Sequence, residues 1–165
     1  MSSALAGKYK RKHFPHWIDR DRDCQNERQE TLISRSKVPV KMKINKKGKK
    51  CTVKSGQWGD FYYPETLYKA SKIDIDHVVP LKNSWDSGAS EWSKKKRREF
   101  ANDPENLVIT NLKYNRSKGA KGPLKWIPVN KSYACKYLTK WVQIKQKYNL
   151  KIDQRVISNK ASVCN

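Results

Sequence analysis

Apolar positions recur along the chain with two periods, and each period predicts a kind of element. Val38, Val40, Met42 and Ile44 alternate with Pro39, Lys41 and Lys43, the two-residue repeat of a half-buried strand. "NKKG" at 45–48 is a turn, and "KKCTVKS" returns as the partner strand. "SGQWGDFYYPETLY" has no repeat and reads as a loop. Ile73 to Val79 is a mainly apolar, β-branched run stopped by Pro80, so it reads as a strand, and "NLVIT" from Asn106 to Thr110 is a shorter one. Helical character appears in "NERQETLI", with Asp23 or Asn26 as its cap. It appears again in "EWSKKKRREFA", capped by Ser90 after a turn at "SWDSGAS" and broken by "NDPE". Another helix is predicted from about Asn111, ending near Gly119 or Gly122. Tyr133, Tyr137, Trp141 and Tyr148, with Leu138 and Val142 alongside, mark a longer helix whose aromatic stripe reads as core. Asn149, a residue tolerated in the left-handed conformation, ends it. There is no internal repeat, and the opening "KYKRKHFPHW" reads as an irregular basic arm.

The 165 residues suit one domain, read as an arm over 1–17 and a single unit over 18–165. Charge changes the picture more than size does. Lys and Arg number 37 against 15 acidic residues, a formal net charge of +22, which attracts polyanions. Nucleic acid is favoured over an anionic membrane, because no basic amphipathic helix shows one wide apolar face. No apolar run approaches the ~20 residues that span a bilayer. "MSSALAG" is too short for a signal peptide and reads as the start left once such a peptide is removed, with an added Met. Cys24, Cys51, Cys135 and Cys164 are scattered with no C-x-x-C, which argues against zinc knuckles and ribbons. An even number of scattered cysteines suggests two disulfides and a secreted or periplasmic protein. Four buried free thiols in a cytosolic protein are the alternative.

The chemistry concentrates between Ile73 and Gly122, which reads as strand, basic insertion, strand, helix. His77 ends one strand, Asn106 opens the next, and Asn115 lies on the following helix. Hydrolysing a phosphodiester needs an activated water, charge neutralisation and a stabilised leaving alkoxide. A neutral imidazole can take the proton from water near pH 7. A divalent cation can serve the other two needs, and Mg²⁺ prefers oxygen ligands such as Asp76 and Asn115. Asp76 pairing with a lysine is the plain alternative. Adjacent strand residues face opposite ways, so Asp76 and His77 flank one site only if the strand is distorted near Pro80.

"DIDHVVPLKNSWDSGA", "FANDPENLVIT", "NRSKG" and "PLKWIP", in this order, resemble an HNH nuclease of the ββα-metal superfamily, in its small secreted, DUF1524-related branch. "CQNERQETL", "GKKCTVKSGQW" and "YACKYLTKWVQIKQKYNL" extend the resemblance over nearly the whole chain after the arm. It implies a compact α+β domain around a ββα-metal (HNH, His-Me finger) core at about 73–122. It makes His77 the general base, Asp76 and Asn115 metal ligands, and Asn106 the residue that pins the histidine loop. Many members have His where Asn115 stands, which disfavours zinc and leaves Mg²⁺, with Mn²⁺ as a substitute. Lys118 and, more weakly, Arg116 become phosphate contacts. Arg28 reads either as a third phosphate contact or as a partner of Glu27, Glu30 or Asp23. Four cysteines allow three pairings; the resemblance favours Cys24 with Cys51, and sequence order then pairs Cys135 with Cys164. "IDRDRDC" has the look of a calcium loop but lacks its glycine and distal glutamate, so capping and ion pairing are expected. The expected protein is a monomeric endonuclease of low sequence specificity, acting on DNA, with RNA left open as a second substrate and with no membrane partner. The alternatives are a non-catalytic nucleic-acid-binding protein and a site-specific nicking or restriction enzyme.

Overall fold

The computed structural model describes residues 7–165, so all but the glycine of "MSSALAG" lies outside the described residues. The chain forms one α+β domain. Helix α1 (Glu27–Arg35) starts at Asn26, whose side chain accepts the Gln29 N–H at 3.2 Å. Asp23, the other candidate cap, accepts from Gln25 N instead. Strands β1 (Lys41–Lys43), β2 (Thr52–Gly59) and β3 (Thr66–Lys69) form an antiparallel sheet in that order. The expected strand over 38–44 shrinks to three residues, and Val38 and Ile44 remain exposed. Alternation sets which way a residue faces, not how far a partner strand runs beside it. The expected loop after Ser55 is largely strand, because β2 continues through Trp58 and β3 comes after it. Trp58 is fully buried, and its indole N–H donates to the Leu32 carbonyl at 2.8 Å. Gly56 makes this packing possible: a Cβ there would lie 2.7 Å from both Ser36 Oγ and the Trp58 ring.

Strands β4 (Ile73–His77) and β5 (Leu107–Asn111) form a second antiparallel sheet, and α4 (Leu112–Lys118) comes directly after β5. Ile73, Ile75, Leu107 and Ile109 pack with Leu32, Val53 and Trp58 in a smaller core. Val108 belongs to the larger core, with Tyr62, Phe100 and the buried face of α5 (Lys131–Lys147). Asn111 caps α4, and Gly119, at φ 54°, ends it. Asn149 has φ 53°, the left-handed conformation expected of it after α5.

Two further expectations change. "SWDSGAS" is a turn only at Ser87 and Gly88: α2 (Leu81–Asp86) takes its first three residues, and Gly88, at φ 137°, has a conformation that suits glycine. Ser93, not Ser90, caps α3 (Lys94–Ala101), accepting from Lys96 N at 3.1 Å. The carboxy-terminal tail is a helix, α6 (Gln154–Cys164), packed on α5 through Val156 and the Cys135–Cys164 disulfide. The second disulfide, Cys24–Cys51, joins the approach to α1 to the start of β2. The basic opening is irregular apart from one 3-10 turn at Arg11–His13, and it lies against the domain. Phe14 is fully buried in the larger core, Arg97 donates to the His13 carbonyl, and Asn102 donates to the Pro15 carbonyl.

Candidate active site

The β4 ladder is regular to its last residue, with Asp76 opposite Val108 and His77 opposite Leu107. Asp74 and Asp76 therefore leave one face of the strand and His77 the other. Asp76 is buried, and its Oδ2 accepts from the Tyr62 hydroxyl at 2.6 Å and the Lys118 ammonium at 3.0 Å. Lys118 has no exposed surface and also donates to the His77 carbonyl at 3.1 Å. Lys118, expected as a phosphate contact, is thus held inside the fold by Asp76 and the His77 carbonyl. A buried ammonium must meet its charge inside the fold, and Lys118 does so with Asp76. Burial, and after it the Asp76 charge, raise the Tyr62 pKa well above its ordinary value, so the hydroxyl keeps its proton and donates it.

Asp74 lies two residues earlier on the same face as Asp76. Its Oδ2 accepts from Asn115 Nδ2 at 3.0 Å, which turns the amide so that Oδ1 has no hydrogen-bond partner among the described residues. On the other face, His77 Nε2 lies 2.7 Å from the Ala101 carbonyl, and the ring stacks on Trp17 at 6.0 Å. A carbonyl only accepts, so the proton of the neutral ring sits on Nε2 and Nδ1 keeps its lone pair. Burial lowers the His77 pKa to about 4, outweighing the upward pull of the Ala101 carbonyl and the Asp76 charge. The imidazole is neutral at pH 7.

Asn106 is fully buried. Its Oδ1 accepts from Val79 N at 2.9 Å and its Nδ2 donates to Val79 O at 3.1 Å. Its own carbonyl accepts from Val78 N at 2.9 Å. One asparagine thus clamps both residues that come after His77.

Asp76, His77 and Asn115 border one cleft of about 310 Å³. The strand is not distorted as that arrangement was expected to require; the cleft lies across its end, where His77 is the last residue. Tyr9 and Arg11 from the amino-terminal segment and Lys82 from α2 complete the border. Arg28 does not border the cleft: it donates to the Ala70 and Ile73 carbonyls near Asp74, and makes no ion pair with Glu27, Glu30 or Asp23. Arg116 is exposed on α4 and does not border the cleft. In "IDRDRDC", Asp19 accepts from the Asp23 and Cys24 N–H groups, as a capping residue does.

Asp74, Tyr62 and Arg11 were not singled out in the sequence. Asp74 had a signal, since it shares strand parity with Asp76. Tyr62 and Arg11 had none, because both arrive from segments without a period.

A family model described as "GmrSD restriction endonucleases, C-terminal domain" matches residues 26–156. A protein of Arthroderma benhamiae, described as an uncharacterized secreted protein, is 37% identical over 159 residues. That alignment covers 95% of this chain and 74% of the fungal protein. No solved structure matches the chain.

Proposed function

From the premise that this chain belongs to the family of the C-terminal domain of GmrSD restriction endonucleases, we propose that it is a secreted, metal-dependent endonuclease of the HNH type. The observation that carries the reading is the single cleft bordered by Asp76, His77 and Asn115. The strand pair β4–β5 with α4 immediately after it supports a ββα-metal core. DNA is the substrate, and RNA, which offers the same phosphodiester, is a second one.

The donor set suits Mg²⁺. Asp76 keeps Oδ1 free of hydrogen bonds among the described residues, and Asn115 keeps its amide oxygen free. Two protein oxygens with phosphate and water are an ordinary Mg²⁺ environment, which Mn²⁺ shares. When bound, the cation supplies charge neutralisation at the phosphate and at the leaving oxygen. Lys118 and Tyr62 hold the Asp76 carboxylate by one oxygen and leave the other for the cation. Asp74 aims the Asn115 amide. His77 takes the proton of the attacking water on Nδ1, while the Ala101 carbonyl fixes the ring and the Asn106 clamp fixes the backbone behind it. Arg11 and Lys82 replace Lys118 as the phosphate contacts.

The test is plasmid digestion by wild type and by His77→Ala, each with Mg²⁺ and with EDTA. Cleavage only by wild type with the metal is expected. Equal cleavage by His77→Ala removes the general base, and cleavage in EDTA removes the cation. The protein's secretion is supported by its disulfides and by the description of its fungal relative.

A further inference from the structure

Beside the candidate active site lies a larger cleft of about 600 Å³, between α2, the segment over 120–125, α5 and the start of α6. Lys82 and Ala120 border both clefts, so the two adjoin. The volume is that of a small-ligand pocket.

Its lining is unusual in three ways. First, its positive charge is in excess. Asp86 and Asp153 are already paired, with Lys82 at 2.8 Å and Arg155 at 2.7 Å. Lys125 and Lys151, by contrast, have no carboxylate or hydrogen-bond partner for their ammonium groups among the described residues. Second, the Asn83 amide makes no hydrogen bond among the described residues, and its Oδ1 is buried. Third, the wall is partly apolar, from Trp141, Pro123 and Leu124. Gly122 packs beside both groups: a Cβ there would sit 3.6 Å from Asn83 Nδ2 and 3.4 Å from the Trp141 ring, most of which is buried.

Lone ammonium groups call for an anion, and an unpaired amide calls for a group that both donates and accepts. An apolar wall calls for a flat, poorly hydrated surface. A nucleotide has all three. We propose that this cleft is a nucleotide-binding subsite: a nucleotide adjoining the cut leaves the stack, its base against the Asn83 amide and its phosphate on Lys125 and Lys151. The inference rests on the nuclease reading for the position of the cut. An asparagine amide matches the donor–acceptor pair of adenine better than the edge of thymine, so adenine is preferred. Because unstacking is easiest where bases are unpaired, single strands and frayed duplexes are cut fastest.

The test measures dAMP, dTMP and inorganic phosphate binding by titration calorimetry in EDTA, so that no cleavage intrudes. Wild type is compared with Asn83→Ala, Lys125→Ala/Lys151→Ala and Gly122→Leu, which fills the space over the amide. Expected are tighter binding of dAMP than of dTMP or phosphate and a loss of about tenfold or more in each variant. Asn83→Ala removes an amide with nothing to bond, so its melting temperature should not fall, which separates a ligand role from a structural one. Phosphate binding as well as dAMP does, or variants binding dAMP like wild type, overturns the subsite. If the same wild-type protein still cuts plasmid with Mg²⁺, the nuclease reading survives that failure. Binding of dAMP by a protein that cuts nothing overturns the nuclease reading and leaves a nucleotide site.

Discussion

At the scale of residues, His77 and Lys118 show how burial decides a role. His77 is desolvated, neutral and hydrogen-bonded through one nitrogen, which leaves the other as a base. Removing a positioned base costs about 10²–10⁴ in rate, so His77→Ala should lose that much cleavage while binding DNA as before; wild-type speed would end the assignment. Lys118 was legible in "NRSKG" as a cation after the helix ligand, but not as an internal one. Nothing in a local run of polar residues tells which of them the fold will turn inward. Lys118→Met leaves the Asp76 carboxylate without its ammonium partner, and breaking a buried pair costs roughly 3–5 kcal/mol. A clear fall in melting temperature is therefore expected, with the salt dependence of DNA affinity unchanged. The opposite pattern would return Lys118 to the phosphates. Asp76, His77, Asn106 and Asn115 could be placed from the sequence because the elements that carry them, β4, β5 with its approach, and α4, were recognisable. Tyr62 and Arg11 reach the site by tertiary contact alone.

At the scale of elements, β4, β5, α1, α4 and α5 were legible from apolar runs, caps and helical spacing, whereas the alternation over 38–44 overstated β1. The elements that were not foreseen share one cause. β3 and the far half of β2 lie in glycine- and aromatic-rich sequence, and α6 has little apolar surface of its own, so packing rather than pattern defines them. α6 depends on what ties it down, and Cys135–Cys164 does so across 29 residues. On the chain-entropy model each bridge contributes about 3–4 kcal/mol. Neither disulfide borders the cleft of Asp76 and His77, so mild reduction should lower the melting temperature well before it lowers specific activity; simultaneous loss would place a bridge in the site's support. Lys145 joins α5 to the end of α2, donating to Ser87 Oγ at 2.7 Å and to the Lys151 carbonyl at 3.0 Å. Burial lowers its pKa from 10.5 to about 8. Between those values the unfolded chain binds more protons than the folded one, so folding gains stability as pH rises through that window, and the penalty is full below it. Relative to Lys145→Met, the wild type should gain stability from pH 8 toward 10.5; a constant difference would mean that the ammonium is not desolvated.

At the scale of the whole molecule, the net charge of +22 poses the question of where the cations go. Some are structural. Arg97 is buried and donates to the His13, Ala89 and Trp92 carbonyls, so the run "SKKKRREF" is not a uniform binding face. Arg28 and Arg35 likewise serve backbone carbonyls. Other lysines are gathered on surfaces. Lys41, Lys43, Lys54 and Lys69 border one cleft on the three-stranded sheet, where Lys41 and Lys69 both stand across from Ser55. Like charges placed across a sheet repel, and a chain that keeps them together gains nothing in folding. On the nuclease reading proposed above, a bound polyanion would relieve that repulsion. Each phosphate neutralised releases condensed counterions, so log affinity for duplex DNA should fall linearly with log salt, by about 0.9 for every phosphate held. Replacing Lys41, Lys43, Lys54 and Lys69 together with Gln should reduce that slope by up to about 3.6, equally for unrelated sequences, because phosphate contacts carry no base information. Melting temperature should hold or rise as the repulsion is relieved. An unchanged slope would mean that this lysine face points away from bound DNA, and a change confined to one sequence would mean that the sheet reads bases.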